Sequence, residues 1–279
     1  MIQIISKFLL FIYNIKRSNS IRKLIKKTIG NKKIQVKFND FKIDAGINSA
    51  IESNIIFNEY NEITVLKIIK NYCSKQYHFI DVGANIGLHS LTAASSNANI
   101  EIFSFEPEPD NYLSFIRNIG HNDFVNIRPF RMGVGNFNGN TILNINEGWN
   151  KGKHSLKVSF NESTKKAVIP VIQLNNFKEN LKFESLLIKI DVEGFEKEVI
   201  EGASQVFSNA ENLVLIIELV TEINELETCK EIIETLKNYG FEKIYKINSN
   251  NDCSSVIGYE GSADYIFIKG KHAIENFIK

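Results

Sequence analysis

A glycine turn and a set of acidic strand ends carry the chemistry available to this sequence. FIDVGANIG at 79–87 is an apolar run that ends in Asp81 and turns on Gly83 and Gly87 into a helix, with Ala84 and Asn85 inside the turn. FSFEPEP at 103–109 is a second apolar run, closed by Glu106, 19 residues beyond Gly87. In a parallel α/β sheet, ligands bind beyond the carboxyl ends of the strands, and an acid at about that distance from the turn takes the hydroxyls of a ribose. The turn is spaced D-x-G-x-x-x-G rather than G-x-G-x-x-G, and Asp81 adds negative charge where a dinucleotide would bring its pyrophosphate. That combination suits a nucleoside cofactor with a cationic centre and an ammonium group, namely S-adenosyl-L-methionine.

A second group of acids follows. Asp191 ends the apolar run LLIKI, Glu193 stands on the loop after it, and Gly194 permits a sharp entry into the next helix. Glu218 ends LVLIIE at 213–218. Transfer of such a cofactor's methyl group is an in-line displacement, and a carboxylate or imidazole near the attacking group can accept its proton. Three acids at adjacent strand ends make either such a base cluster or a set of hard oxygen ligands for a divalent cation. The reading taken is a base cluster with no obligatory metal. Glu193 also complements a helix dipole. His154, in the polar stretch GKHSL, is a further candidate base, while His89 on the helix after the glycine turn reads as a packing or cofactor-adjacent residue. Trp149 and Tyr112 offer flat faces for a sugar or an adenine.

These side chains need a sheet to hold them. The continuous apolar runs FID, IFSF, LLIKI and LVLII mark strands covered on both faces, as in parallel sheets. The expected order is short strands at 34–43 and 49–57 and a helix over 61–72. Strand 78–82, helix 86–95, strand 100–105, helix 109–119 and strand 125–130 come next. A polar strand-and-turn stretch covers 134–173, before strand 186–190, helix 195–207, strand 213–218, helix 222–239 and strands 243–248 and 264–269. The alternation predicts a doubly wound α/β sheet, mostly parallel, with an antiparallel C-terminal hairpin. Residues 34–279 form the catalytic domain, and 1–33 a basic amphipathic helical extension.

DVGANIG, FEPEPDNY at 105–112, RNIGHN at 117–122 and above all LLIKIDVEGFEKEVIEGA at 186–203 resemble the FkbM family of S-adenosylmethionine-dependent methyltransferases. The resemblance covers roughly 60–220. It implies a class I methyltransferase (Rossmann-like) fold and O-methylation of a hydroxyl on a sugar or polyketide-type acceptor. Carried over by motif, Asp81, Gly83, Asn85 and Gly87, with Ala84 among them, line the methionine end of the cofactor, and Glu106 takes its ribose. Gly133, in Met132-Gly133-Val134, stands where the chain passes the adenine. Asp191 sits on the cofactor edge of the sheet and counts toward both cofactor and acceptor. The sequence departs from the family in QLNNF at 173–177, where Asn175 replaces a common Asp; capping the next turn is a job Asn does equally well.

Composition narrows the alternatives. The 279 residues are 43% hydrophobic and 23% charged, ordinary for a folded domain. Cys73, Cys229 and Cys253 are widely spaced and show no metal or disulfide pattern, which fits a reducing cytoplasmic setting. Ten Lys or Arg and no acid precede Asp40, whereas the remainder is net acidic. The acidic body and the proline-free loop Asp191-Val192-Glu193-Gly194 disfavour a nucleic-acid or other N-methyltransferase, and the glycine spacing disfavours a nicotinamide oxidoreductase. Intact acids argue against a non-catalytic binding module. The expected acceptor is a sugar, a nucleotide-sugar or a lipid-linked glycan. At the N-terminus, Ile2, Ile5, Leu9 and Ile12 share a helical face and a run of Lys and Arg follows, a pattern suited to peripheral contact with an anionic membrane at its inner face or to packing on the domain. The FLLFIY run at 8–13 is far short of the about 20 residues that span a bilayer.

Overall fold

The computed structural model describes residues 2–145, 165–177 and 184–270. Two helices, α1 (Ile2–Lys16) and α2 (Asn19–Ile29), lead into a hairpin of β1 (Ile34–Phe38) and β2 (Phe41–Ala45), then α3 (Ala50–Phe57) and α4 (Ile63–Ser74). Alternation begins with β3 (His78–Val82), α5 (Leu88–Ser96), β4 (Ile102–Phe105), α6 (Pro109–Gly120) and β5 (Ile127–Phe130). A small separate sheet takes β6 (Gly133–Val134), β7 (Gly139–Ile145) and β8 (Lys165–Ile172). The chain returns through β9 (Ser185–Ile190), α7 (Glu196–Gly202), α8 (Ser204–Asn209) and β10 (Asn212–Leu219). It finishes with α9 (Thr221–Asn224), α10 (Leu226–Asn238), β11 (Lys243–Ile247), β12 (Cys253–Val256) and β13 (Ala263–Lys269).

The main sheet has the order β12-β11-β13-β10-β9-β3-β4-β5. From β10 to β5 every neighbouring pair is parallel, and β13 slots antiparallel between β10 and β11. Winding runs outward in both directions from the β3–β9 pair, so the strand order reverses there, and a crevice opens at the carboxyl ends of those two strands. The sheet is the class I methyltransferase arrangement, a doubly wound parallel sheet with an antiparallel C-terminal element.

Two apolar layers cover it. One joins Phe79, Ile102, Leu187 and Ile216 to α4 and α5, and it includes Leu10 and Tyr13 of α1 and Ile25 and Ile29 of α2. The other joins Ile80, Phe103, Ile188 and Leu215 to α7, α8 and α10. Adjacent residues of one strand enter opposite layers, as the two-residue period of a strand requires.

Several elements differ from the sequence reading. Residues 50–57 form a helix, not a strand: Glu52, Ile55 and Ile56 share its buried side at helical spacing. The signal was the S-x-x-E of Ser49 and Glu52, although the Glu52 carboxylate is used elsewhere, accepting the Gly46 amide at 2.6 Å and pairing with Lys33 at 2.5 Å. The 34–43 stretch is a hairpin that turns at Asn39, in the left-handed region (φ 48°). The helix expected over 195–207 is two, broken at Ala203, and that over 222–239 breaks at Glu225, whose φ is 62°. Strand β12 was not anticipated; it pairs only at the sheet edge.

Gly87 sits at φ 90°, and a Cβ there would lie 2.0 Å from Cδ2 of Phe115, a fully buried ring on α6. Its role is therefore close approach to α6. Gly87→Ala combines a left-handed backbone with overpacking and is expected to destabilise the fold by at least about 2 kcal/mol. The urea midpoint measures this, and a midpoint equal to that of the wild type would show that Phe115 yields without cost.

Candidate active site

The crevice at the β3–β9 seam depends on a close approach of backbones. Gly83 has φ 88°, and a Cβ on it would stand 1.9 Å from the Asp191 carbonyl oxygen; only glycine lets the first strand's turn touch the end of β9. The turn's amides are spent internally. Gly83 and Ala84 both donate to the Phe105 carbonyl at 3.0 Å, Asn85 donates to Glu106 Oε2 at 2.7 Å, and Gly87 donates to Ala84 at 2.8 Å. Those four amides are not available to cradle a pyrophosphate.

Gly83, Ala84, Asn85, Glu106, Gly133, Asp191, Glu193 and Glu218 all line one cavity, as do Met132 and Val134. Asp81 and Gly87 lie behind it. The Asp81 carboxylate is fully buried and accepts from Ser90 at 2.5 Å through Oδ2, while Oδ1 has no hydrogen-bond partner among the described residues. Asp81 thus ties the turn to α5 and reaches the cavity only through its backbone neighbours. His154 and Trp149 lie outside the described residues. Tyr112 is directed to the Pro129 carbonyl at 3.4 Å. Asn175 stands away from the acids: its Oδ1 accepts the Gln205 amide at 2.9 Å and its Nδ2 meets Ser204, so it caps the start of α8 from a neighbouring segment.

Glu106 is buried, and each of its oxygens accepts one amide, from Asn85 and from Glu108 (2.8 Å). Burial pushes its carboxyl up to about 8 although those amides pull the other way, and Glu108 and Asp81 add repulsion. Each oxygen keeps a lone pair for a further donor.

Asp191, Glu193 and Glu218 converge, each offering an oxygen within 4.8 Å of the others. The neighbouring Asp191 charge and burial, with Asp264 and Glu193 adding, push Glu218 up to about 9 against the pull of Lys189. Glu193 holds φ 51° and Gly194 φ 98°, and Glu196 fixes this loop by accepting the amides of Gly194 (3.0 Å) and Val192 (3.3 Å).

Beneath the acids lies Lys189, 1% exposed, with Nζ 2.8 Å from Asp191 Oδ2. Burial weakens its hold on the proton; the charges of Asp191, Glu62, Asp264 and Asp81 more than offset this and hold it above its ordinary value. Glu62 receives the Tyr60 hydroxyl at 2.9 Å and faces His89 at 3.5 Å. Burial pushes the Glu62 carboxyl up, but His89, then Lys189 and the Tyr60 hydroxyl, outweigh it and bring it down to about 2. Asp264 is raised by burial to about 6. Sequence reasoning missed Lys189, Glu62, Tyr60 and Glu196. The one visible signal was the lysine within LLIKI, since a cation in a central strand requires acids around it.

A model of the methyltransferase FkbM domain matches residues 81–243, more than half of the chain. Methyltransferase 1 of Beauveria bassiana (strain ARSEF 2860) is 27% identical over 177 residues, covering 56% of this chain and 70% of that protein. Among solved structures, an S-adenosylmethionine-dependent methyltransferase from Agrobacterium tumefaciens aligns over 85% of this chain and 70% of its own, at 8% identity and a TM-score of 0.48. M. jannaschii TYW2 in complex with AdoMet covers 85% of each chain at 10% identity and a TM-score of 0.42. Both structural likenesses are too distant to carry site geometry. The family match takes in the glycine turn, Glu106 and all three converging acids, and the chain belongs to the FkbM family of S-adenosylmethionine-dependent methyltransferases.

Proposed function

We propose that this protein methylates a hydroxyl oxygen of a sugar, nucleotide-sugar or lipid-linked glycan, with the Asp191–Glu193–Glu218 cluster handling the proton. The observation that carries the reading is that cluster itself, three carboxylates converging on the cavity beside the glycine turn. The residues fit the cofactor. Glu106 has acceptor capacity left and would take the ribose hydroxyls, Met132, Gly133 and Val134 would wall the adenine, and Gly83, Ala84, Asn85 and Asp191 would hold the methionine end. Bound S-adenosylmethionine supplies an electrophilic methyl on a sulfonium, together with an ammonium group. Two cationic centres complement a site where acids crowd until Glu218 is pushed up to about 9.

The division of labour follows from the partners. Asp191 is tied to Lys189 and suits orientation of the cofactor and the acceptor hydroxyl. Glu218 is raised by its neighbours' negative charge, so an arriving cation lowers it and leaves a carboxylate able to accept the hydroxyl proton. A divalent ion on the same three oxygens is the second reading, favoured by their convergence alone. Turnover that persists after dialysis against a chelator supports the metal-free reading; loss restored by a divalent cation supports the other.

Two further outcomes are expected. Glu106→Gln should weaken binding of S-adenosylmethionine at least tenfold, about 1.4 kcal/mol, by calorimetry, with circular dichroism unchanged; a wild type that binds none would overturn the reading. For Glu218, the folded carboxyl titrates near 9 against an ordinary 4.5. The folded state therefore retains a proton that the unfolded chain has released, and stability falls as pH rises from about 4.5 toward 9. Glu218→Gln should remove that fall, seen as a flatter melting temperature across this range. It should also abolish an ascending limb of kcat/KM at alkaline pH, and a limb retained in the variant would assign the base to another group.

A further inference from the structure

Helix α1 is apolar on two opposite sides. One side packs on the domain, with Leu10 and Tyr13 buried and Ile2 and Leu9 half-buried against the core. The other carries Ile4, Phe8, Phe11 and Ile15, spaced four, three and four residues apart and each more than 60% exposed. That spacing puts them in one stripe. The face differs from the one read from sequence, which mixed the docked Ile2 and Leu9 with Ile5 and Ile12. A contiguous apolar stripe left exposed on a helix that is already docked by its other side marks an interaction surface.

Charge selects the cover. Lys7 and Lys16 on α1 and Lys23 and Lys27 on α2 are exposed, and no acid occurs before Asp40. A second copy would bring the same cations face to face, whereas an anionic lipid surface complements them. No described helix is long and apolar enough to cross a membrane, and at 15 residues α1 is about 22 Å long, so it lies in the interface plane. The helix pair is pinned to the catalytic body. Arg17 donates to the Phe57 carbonyl at 2.9 Å and Arg22 pairs with Glu59 at 2.7 Å, both at the end of α3, whose Ala50, Ile51 and Asn54 line the active-site cavity.

We infer that the Ile4–Phe8–Phe11–Ile15 stripe and the exposed lysines of α1 and α2 seat this protein on an anionic membrane surface, independently of which acceptor it methylates. The test is flotation of the full chain with vesicles of phosphatidylcholine alone or mixed with phosphatidylglycerol. Binding is expected only to the anionic vesicles, and it should weaken as salt is added. Phe8→Ser combined with Phe11→Ser should lower partitioning at least about tenfold, and Lys23→Gln with Lys27→Gln should do likewise. All four side chains are exposed, so binding of S-adenosylmethionine and the melting temperature serve as controls that stay unchanged. Three results would overturn the inference: no binding by the wild type, binding indifferent to the Phe pair, or a dimer by light scattering that the Phe pair dissolves without any vesicle binding.

Discussion

Lys189 is the constraint around which the site is organised. An ammonium group inside a central strand has lost its water, and it remains charged only because carboxylates surround it. Asp191 meets it directly, while Glu62, Asp264 and Asp81 act from the start of α4, β13 and β3. One buried cation thus draws acids from separate parts of the chain to the sheet's carboxyl edge. Those acids exceed what one lysine neutralises, and the surplus falls on Glu218, which is why its proton is held so firmly in the absence of another cation.

The seam between β3 and β9 provides the other half of the site. Because winding reverses there, no helix crosses the gap, and the turn after β3 can settle against the end of β9 through Gly83. Glu106 secures the same turn from β4 by holding the Asn85 amide. The cavity and the acid cluster are therefore built from one set of strand ends, and a change in either reaches the other through a few backbone contacts.

The sheet and much of the cavity lining were legible in the sequence because parallel strands are continuous apolar runs, and because glycines and acids at their ends stand out against that background. Gly83, Asn85, Glu106, Asp191, Glu193 and Glu218 reach the cavity for that reason. Legibility failed where side chains point away from the place their backbone marks. Asp81 ends the first strand yet its carboxylate turns back to Ser90, since strand alternation sends it to the α5 layer. Glu62 and Tyr60 come from a helix start and the loop before it, and no periodicity marks either. In α3, the inward Glu52 broke the apolar pattern and made helix read as strand. On α1 the pattern was ambiguous in principle: with apolar residues on two sides, only the docked structure says which side is left over.

The loop after β9 sets stability against chemistry. Glu193 is held in left-handed backbone that a residue with a Cβ occupies at a cost of order 1–2 kcal/mol. Glycine would relax the turn there and also remove one of the three converging carboxylates. The strained turn thus exchanges backbone stability for a carboxylate at the cavity, and selection for thermal robustness alone would favour the glycine. Hardening the loop at this position removes an acid from the cavity.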